Sequence, residues 1–257
     1  EFALRAPRLP AASTSVRLAG DVVMAGDDRG VIPDFGRSNA DLFLVNLEGV
    51  PSLKEPEQTP RHDFRFPPER LDWLKQQGVD AVSLANNHAG DAGRDGLVDA
   101  MAALRSHGIG FCGAGSDAPS ACKPWRVEKR GVKMVVFGIS IVDGLVATDN
   151  EPGVAKLPEH SGLLETALHE AVSKGERVIV LLHAGDEYRH TVNDEQRRWA
   201  RWLAARGADI IAGAHPHVIQ RSETFAGCQI LHSLGNAVYP KPFKGADSGR
   251  IAEVSVP

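Results

Sequence analysis

Aromatic residues are scarce in this chain, at 6%, with two tyrosines and four tryptophans. No stacking platform for single-stranded nucleic acid is visible in so thin a supply. Positive charge is not in excess either: 29 Lys and Arg stand against 33 Asp and Glu, for a formal net charge of −4. The basic footprint of a nucleic-acid binder is therefore missing, and nucleic acid is not expected as a partner. No apolar run reaches the ~18 residues of a membrane span. The cysteines are only Cys112, Cys122 and Cys228, an odd count without CxxC spacing. That offers neither a disulfide framework nor a zinc-finger pattern, and it fits a reducing compartment without requiring one. Residues Glu1–Ser15 lack a Met, a basic n-region and an apolar h-region, so they do not resemble an intact signal peptide. They read as a polar, poorly ordered leader. Repeats, low-complexity tracts and a convincing linker are also missing, so residues 16–257 read as one domain.

Histidine is what the chain has in number, ten in 257 residues. Their setting follows from the pattern around them. Short apolar runs of strand length recur at Val16–Ala19, Leu42–Leu47, Ala81–Ala85, Met134–Ile139, Val178–Leu182, Ile210–Ala212, Ile230–Leu234 and Ile251–Val256. Amphipathic helical segments lie between several of them, at Pro68–Gln77, Asp95–His107, Leu163–Lys174 and Asp194–Arg206. Such alternation predicts a layered α/β domain. Trp125–Phe137, with Lys129-Arg130-Gly131 between two alternating runs, reads as a β-hairpin. Pro51–Pro67 and Val142–Pro158 read as long loops, which in compact domains are often functional.

Five apolar runs end in side chains that bind hard or borderline metals: Asp21, Glu48, Asn86-Asn87-His88, His183 and His215-Pro216-His217. In open α/β sheets the carboxyl ends of strands form the ligand crevice. Parallel strands would thus gather these groups at one edge. Imidazole, carboxylate and amide oxygen together suit Zn, Mn or Fe better than a thiolate site would. A carboxylate such as Glu48 can bridge two ions, and two ions clamp the attacking and leaving oxygens of an in-line displacement. His88, if not a ligand, can protonate the leaving group. Blander readings stand beside these: Asp21 as a turn residue, Glu48 as a solvated strand end, Asn86–His88 as a helix cap. His107, His160 and His169 read as surface residues and His232 as a core or sheet-face residue, with His62 and His190 in loops near the motifs.

The strings Val82-Ser-Leu-Ala-Asn-Asn-His88-Ala-Gly-Asp91, His183-Ala-Gly-Asp-Glu187-Tyr188, Gly213-Ala-His215-Pro-His217 and Ser233-Leu-Gly-Asn236, with Gly20-Asp21 and Asn46-Leu-Glu48, resemble the CapA family of bacterial capsule and poly-γ-glutamate synthesis. That family is similar in turn to the calcineurin-like metallophosphoesterases. The resemblance implies a four-layer α/β/β/α sandwich holding one or two divalent transition metal ions, Mn, Fe or Zn. It assigns Glu48, Asn87, His183 and His215 to one ion, Asp21, Glu48 and His217 to the other, and a catalytic role near the leaving group to His88. Glu187, Tyr188 and Asn236 fall beside the motifs as substrate-binding or ligand-orienting groups, with His62 and Arg65 as further candidates. Val23 stands where the phosphoesterases usually carry a His, which puts the second ion in question.

The function expected is metal-dependent hydrolysis of an anionic small molecule or polymer, linked to capsule or poly-γ-glutamate synthesis. Two alternatives stay open: a non-catalytic accessory part of a polymer synthesis or export complex, and metal-dependent amide chemistry on a γ-glutamyl or peptide-like substrate. The resemblance also implies a membrane synthesis complex as partner and a membrane-anchored or extracytoplasmic setting, with the cytoplasm left open.

Overall fold

The computed structural model describes residues 13–25, 35–36, 38–56, 60, 62–239 and 249–256. In chain order the first elements are β1 (Thr14–Val22), β2 (Leu42–Leu47), α1 (Leu71–Gln76), β3 (Ala81–Ser83), α2 (Gly93–Ser106) and β4 (Gly110–Cys112). The middle of the chain forms β5 (Ala114–Gly115), α3 (Ala118–Ala121), β6 (Trp125–Lys129), β7 (Val132–Ser140), β8 (Gly153–Val154), α4 (Ser161–Ser173) and β9 (Arg177–His183). Then come α5 (Asp194–Ala205), β10 (Ile210–Ala214), β11 (Ser222–Phe225), β12 (Cys228–Leu231), β13 (Asn236–Val238) and β14 (Ala252–Val256).

Two six-stranded sheets result. The first has the order β13-β1-β2-β3-β4, with β14 antiparallel to β1. The second has the order β11-β12-β10-β9-β7-β6. β1 to β4 are mutually parallel, as are β7, β9, β10 and β12. Strands covered on both faces read as continuous apolar runs rather than as alternation. β2 is buried at all six positions for that reason.

Three apolar clusters define the layers. Val16, Leu18, Leu42 and Leu44 of the first sheet meet Met134, Val136, Ile179 and Leu181 of the second. On the far side of the first sheet, Val45, Leu47 and Val82 pack against Leu71 and Leu74 of α1 and Leu97, Met101 and Leu104 of α2. On the far side of the second, Val135, Phe137 and Val180 pack against Leu164 and Leu168 of α4 and Trp199 and Leu203 of α5. The architecture is the expected α/β/β/α sandwich.

Several local readings shift. Residues 1–12 of the expected leader lie outside the described residues, while Thr14 and Ser15 pair with Val256 and Ser255 as the start of β1. Pro68–Gln77 divides into a 3-10 turn at Pro68–Arg70 and the α-helix α1. α2 begins at Gly93 with no side-chain cap, so Asn86–His88 do not cap it. The hairpin forms as expected: Lys129 pairs with Val132 across Arg130 and Gly131, both at positive φ, the demand of a tight two-residue turn. His160 is buried rather than on the surface, with Nδ1 accepting from the Lys156 amide at 3.0 Å and Nε2 3.1 Å from the Ala147 carbonyl. His107 is half-buried at the end of α2 and His169 is exposed. His232 is buried beside Glu223.

One crossing segment joins the sheets near their carboxyl ends. Asp21 donates its amide to the Gly235 carbonyl, and Leu234 donates to the Gly213 carbonyl. This approach requires glycine. A Cβ on Gly20 would lie 2.0 Å from the Gly235 oxygen, and one on Gly213 would lie 1.8 Å from the His232 oxygen.

Candidate metal centre

The strand ends converge. Asp21 lies near the end of β1, Glu48 just past β2, Asn87 and His88 beyond β3, His183 at the end of β9, and His215 and His217 beyond β10. Asp21 and Glu48 are fully buried, and His183, His215 and His217 are 1%, 5% and 3% exposed. Side-chain donor atoms come together in three groups: Glu48 with His183 and His215, Asp21 with Glu48 and His217, and Glu187 with His215 and His217. The first two reproduce the carboxylate and imidazole parts of the two ligand sets expected from the resemblance. In the first, Asn87 Oδ1 lies 2.7 Å from His183 Nε2, so the amide reaches the same spot.

Burial dictates the electrostatics. Glu48 Oε1 is 3.8 Å from His183 Nε2, and Oε2 is 3.7 Å from His217 Nδ1. Neither oxygen has a hydrogen-bond partner among the described residues. Burial, then the Asp21 charge, push the Glu48 carboxyl well above its ordinary range. Burial would raise Asp21 too, but the His217 contact and the His217 and His183 charges outweigh it and hold Asp21 at about 2. Burial pulls His183 well down, aided by His215, and lowers His215 to about 4. Burial works against the charged form of His217 as well, yet Asp21 and Glu48 outweigh it and draw it up to about 10. A buried carboxylate with two orphaned oxygens among imidazoles is costly unless a cation meets it. The donor set and these orphaned atoms fit a divalent transition metal. His215 Nδ1 is likewise buried and, among the described residues, without a partner.

Surrounding groups fix the donors. Asn46 Nδ2 donates to Asp21 Oδ1 at 2.7 Å, and Asp21 Oδ2 accepts the His215 amide at 3.0 Å. Asn236 Oδ1 sits 2.9 Å from His217 Nδ1. Partners of this kind orient metal-binding side chains. His215 and His217 both have positive φ, at 95° and 57°, and flank Pro216. Such backbone is sparsely populated by non-glycine residues and clusters at functional sites.

His88 belongs to none of the donor groups among the described residues and is paired with a carboxylate. Its Nδ1 lies 2.8 Å from Asp91 Oδ2, and Asp91 is 5% exposed and also accepts the Phe64 amide at 2.7 Å. The Phe64 ring stacks on His88 at 4.0 Å. A second aromatic edge is formed by Tyr188 and Tyr239, at 5.6 and 5.3 Å from His217.

The other candidates divide. Glu187 is brought to His215 and His217 and Asn236 to His217, while Tyr188 rims the centre. Arg65 forks onto Asp63 and pairs with Glu55, its charge already met. His62 is exposed and belongs to none of the donor groups among the described residues. His190, also exposed, faces the Ile219 carbonyl at 3.3 Å. Val23 is 1% exposed and offers no donor atom. Asn46 and Asp91 stand in the motif strings without a role of their own, and Phe64 and Tyr239 stand in none of them. Asp91 had a legible signal three residues after His88, and Asn46 two residues before Glu48.

Comparison with known proteins gives consistent matches. Residues 30–241 match the family model described as bacterial capsule synthesis protein PGA_cap. The PGA biosynthesis protein CapA of Bacillus subtilis is 36% identical over 174 residues, which cover 66% of this chain and 45% of that protein. The capsule biosynthesis protein CapA of Bacillus anthracis is 26% identical over 244 residues, 88% of this chain and 59% of that one. A probable polyglutamine synthesis accessory protein of Mycobacterium tuberculosis is 26% identical over 211 residues, 77% of this chain and 55% of that one. The chain thus spans about half the length of the curated relatives it matches. Among the described residues, no helix is long and apolar enough to cross a membrane.

Proposed function

The chain belongs to the bacterial capsule synthesis protein family, and on that premise we propose that it is a metal-dependent hydrolase of the metallophosphoesterase type. Its substrate is a phosphoester or related anionic compound used in capsule or poly-γ-glutamate synthesis. The observation that carries the reading is the fully buried, doubly unpartnered Glu48 carboxylate at the meeting point of two donor groups. Glu48, Asn87, His183 and His215 would hold one ion, and Asp21, Glu48 and His217 a second, of Mn, Fe or Zn. Glu187 offers a further carboxylate donor beside His215 and His217. When bound, a divalent ion supplies Lewis-acid charge for a phosphoryl or carbonyl oxygen and makes water more acidic.

The chain's own residues perform the rest. Asn46 and Asn236 fix Asp21 and His217, so the donors are preorganised. Asp91 accepts the hydrogen bond of His88 Nδ1–H, so the ring faces the substrate through Nε2 and acts as the acid there in its imidazolium form. As water attacks phosphorus and the ester P–O bond breaks, the leaving oxygen takes the Nε2 proton from His88. Stacking by Phe64 holds the imidazole plane in place.

A second reading is favoured by two observations: the accessory role in the name of the Mycobacterium tuberculosis relative and the missing donor at Val23. In it the ion is structural, and the protein serves a synthesis complex. Turnover of phosphoester and γ-glutamyl amide reporters by metal-loaded protein separates the two. Hydrolysis that chelation stops, and that His88→Asn abolishes without loss of metal, supports the enzyme. Loaded protein inert toward every reporter supports the accessory role.

A further inference from the structure

We propose that a cleft at the edge of the sandwich, apart from the metal centre, binds the carboxylates of a γ-glutamyl chain. This rests on the polyglutamate setting proposed above. The cleft has a volume of about 540 Å³ and is lined by Arg105, Lys123 and Arg126, by Ser116 and Ser120, whose hydroxyls bond Asp117, and by Trp125. Three cations line it and no acidic residue does, in a chain whose net charge is −4.

Arg105 and Lys123 are exposed; among the described residues no ion pair holds Arg105, and Lys123 lies in the field of the Asp117 carboxylate. Arg105 lies over the Phe111 ring at 4.9 Å, which fixes the guanidinium without neutralising it. Arg126 differs, because Glu176 and Glu170 hold it at 3.2 and 3.7 Å. Gly110 keeps the floor flat: a Cβ there would lie 2.4 Å from the Trp125 ring, so the indole lies directly on β4.

These features select a ligand class. The volume falls within the ~300–1,000 Å³ of small-molecule sites, room for a short oligomer and not for a folded partner. Separated cations over an aromatic floor match carboxylates spaced by methylene groups. The cleft straddles β4 and β6, the edge strands of the two sheets. At a strand spacing of ~4.8 Å, β4 lies about 15 Å from β1, so one extended chain can occupy the cleft and reach the metal-bearing edge.

Calorimetric titration of the full, metal-free chain with poly-γ-glutamate oligomers tests this. Binding in low salt, weaker in high salt, is expected, with tryptophan quenching that disappears in Trp125→Phe. Arg105→Gln and Lys123→Gln should each weaken binding about fivefold, and together about 25-fold, the scale of exposed ion pairs. Phosphoester turnover by the loaded double variant should be unchanged. The proposal is overturned if nothing binds, if the double variant binds as the wild type does, or if tripolyphosphate binds as tightly as the glutamyl chain. His88→Asn should bind the oligomer normally, so failure of the hydrolase reading leaves a distinct signature.

Discussion

Replacing Glu48 by Gln should make the metal-free protein more stable and the metal-supplied protein less so. Glu48 is 0% exposed, both its carboxylate oxygens are unpartnered, and Asp21 adds a like charge. Its pKa is raised in the fold, so its protonated form is favoured there. The group's contribution is therefore fully present below its ordinary value of 4.5 and is lost as pH rises toward the raised value. An unsatisfied buried polar group costs about 1–3 kcal/mol, more when charged. For a chain of this size 1 kcal/mol moves Tm by about 2–4 °C. Metal-free Glu48→Gln should thus melt about 3–10 °C above the metal-free wild type at pH 8, with a smaller gap at pH 5. Added metal should invert the order. At a hundredfold excess over Kd it stabilises the wild type by about 2.7 kcal/mol. The variant, having lost the donor common to both groups, should gain almost nothing. Thermal unfolding at both pH values, with chelator and with Mn or Zn, reads all four states. A metal-free variant less stable than wild type at pH 8, or equal stabilisation of both by metal, would refute the reasoning.

Three further outcomes are expected. His88→Asn should lower kcat about 10²–10⁴-fold with metal content unchanged by elemental analysis, and Asp91→Asn should lower it less while shifting the pH–rate profile. Gly213→Ala should destabilise by about 3 kcal/mol or more in denaturant titrations, because its Cβ would meet the His232 carbonyl at 1.8 Å. The Arg201 hydrogen bond lowers Glu223 to about 2, against burial. That stabilisation is present above pH 4.5 and fades as pH falls toward 2. Glu223→Gln should cost about 1 kcal/mol at pH 7, since Arg201 is 42% exposed, and nothing near pH 2.

The layers and most of the donor set were legible because two strong signals coincide. Buried parallel strands announce themselves as unbroken apolar runs, as Leu42–Leu47 does, and each run ends where its chemistry begins. Weaker signals escaped. The β11–β12 hairpin turns at Ala226 and Gly227, both at positive φ, and half-exposed β11, Ser222–Phe225, has no apolar run to mark it. His160 sits at a helix entry, where local pattern suggests surface; only the packing of the Ala147 and Lys156 segments around it makes it buried. Asn46 sits in a run that reads as core, and its role depends on Asp21 from the neighbouring strand. Tyr239 reaches His217 because β13 pairs with β1, a long-range event that no local window contains.

The central claim is that the buried carboxylate and imidazole cluster is a metal centre. Elemental analysis of the purified chain, joined to an anomalous-scattering map of its crystals, tests it most directly. The account predicts near-stoichiometric Mn, Fe or Zn, with one peak among Glu48, Asn87, His183 and His215 and any second among Asp21, Glu48 and His217. A chain that takes up no transition metal when supplied with it, or that holds its metal away from Glu48, would contradict the account.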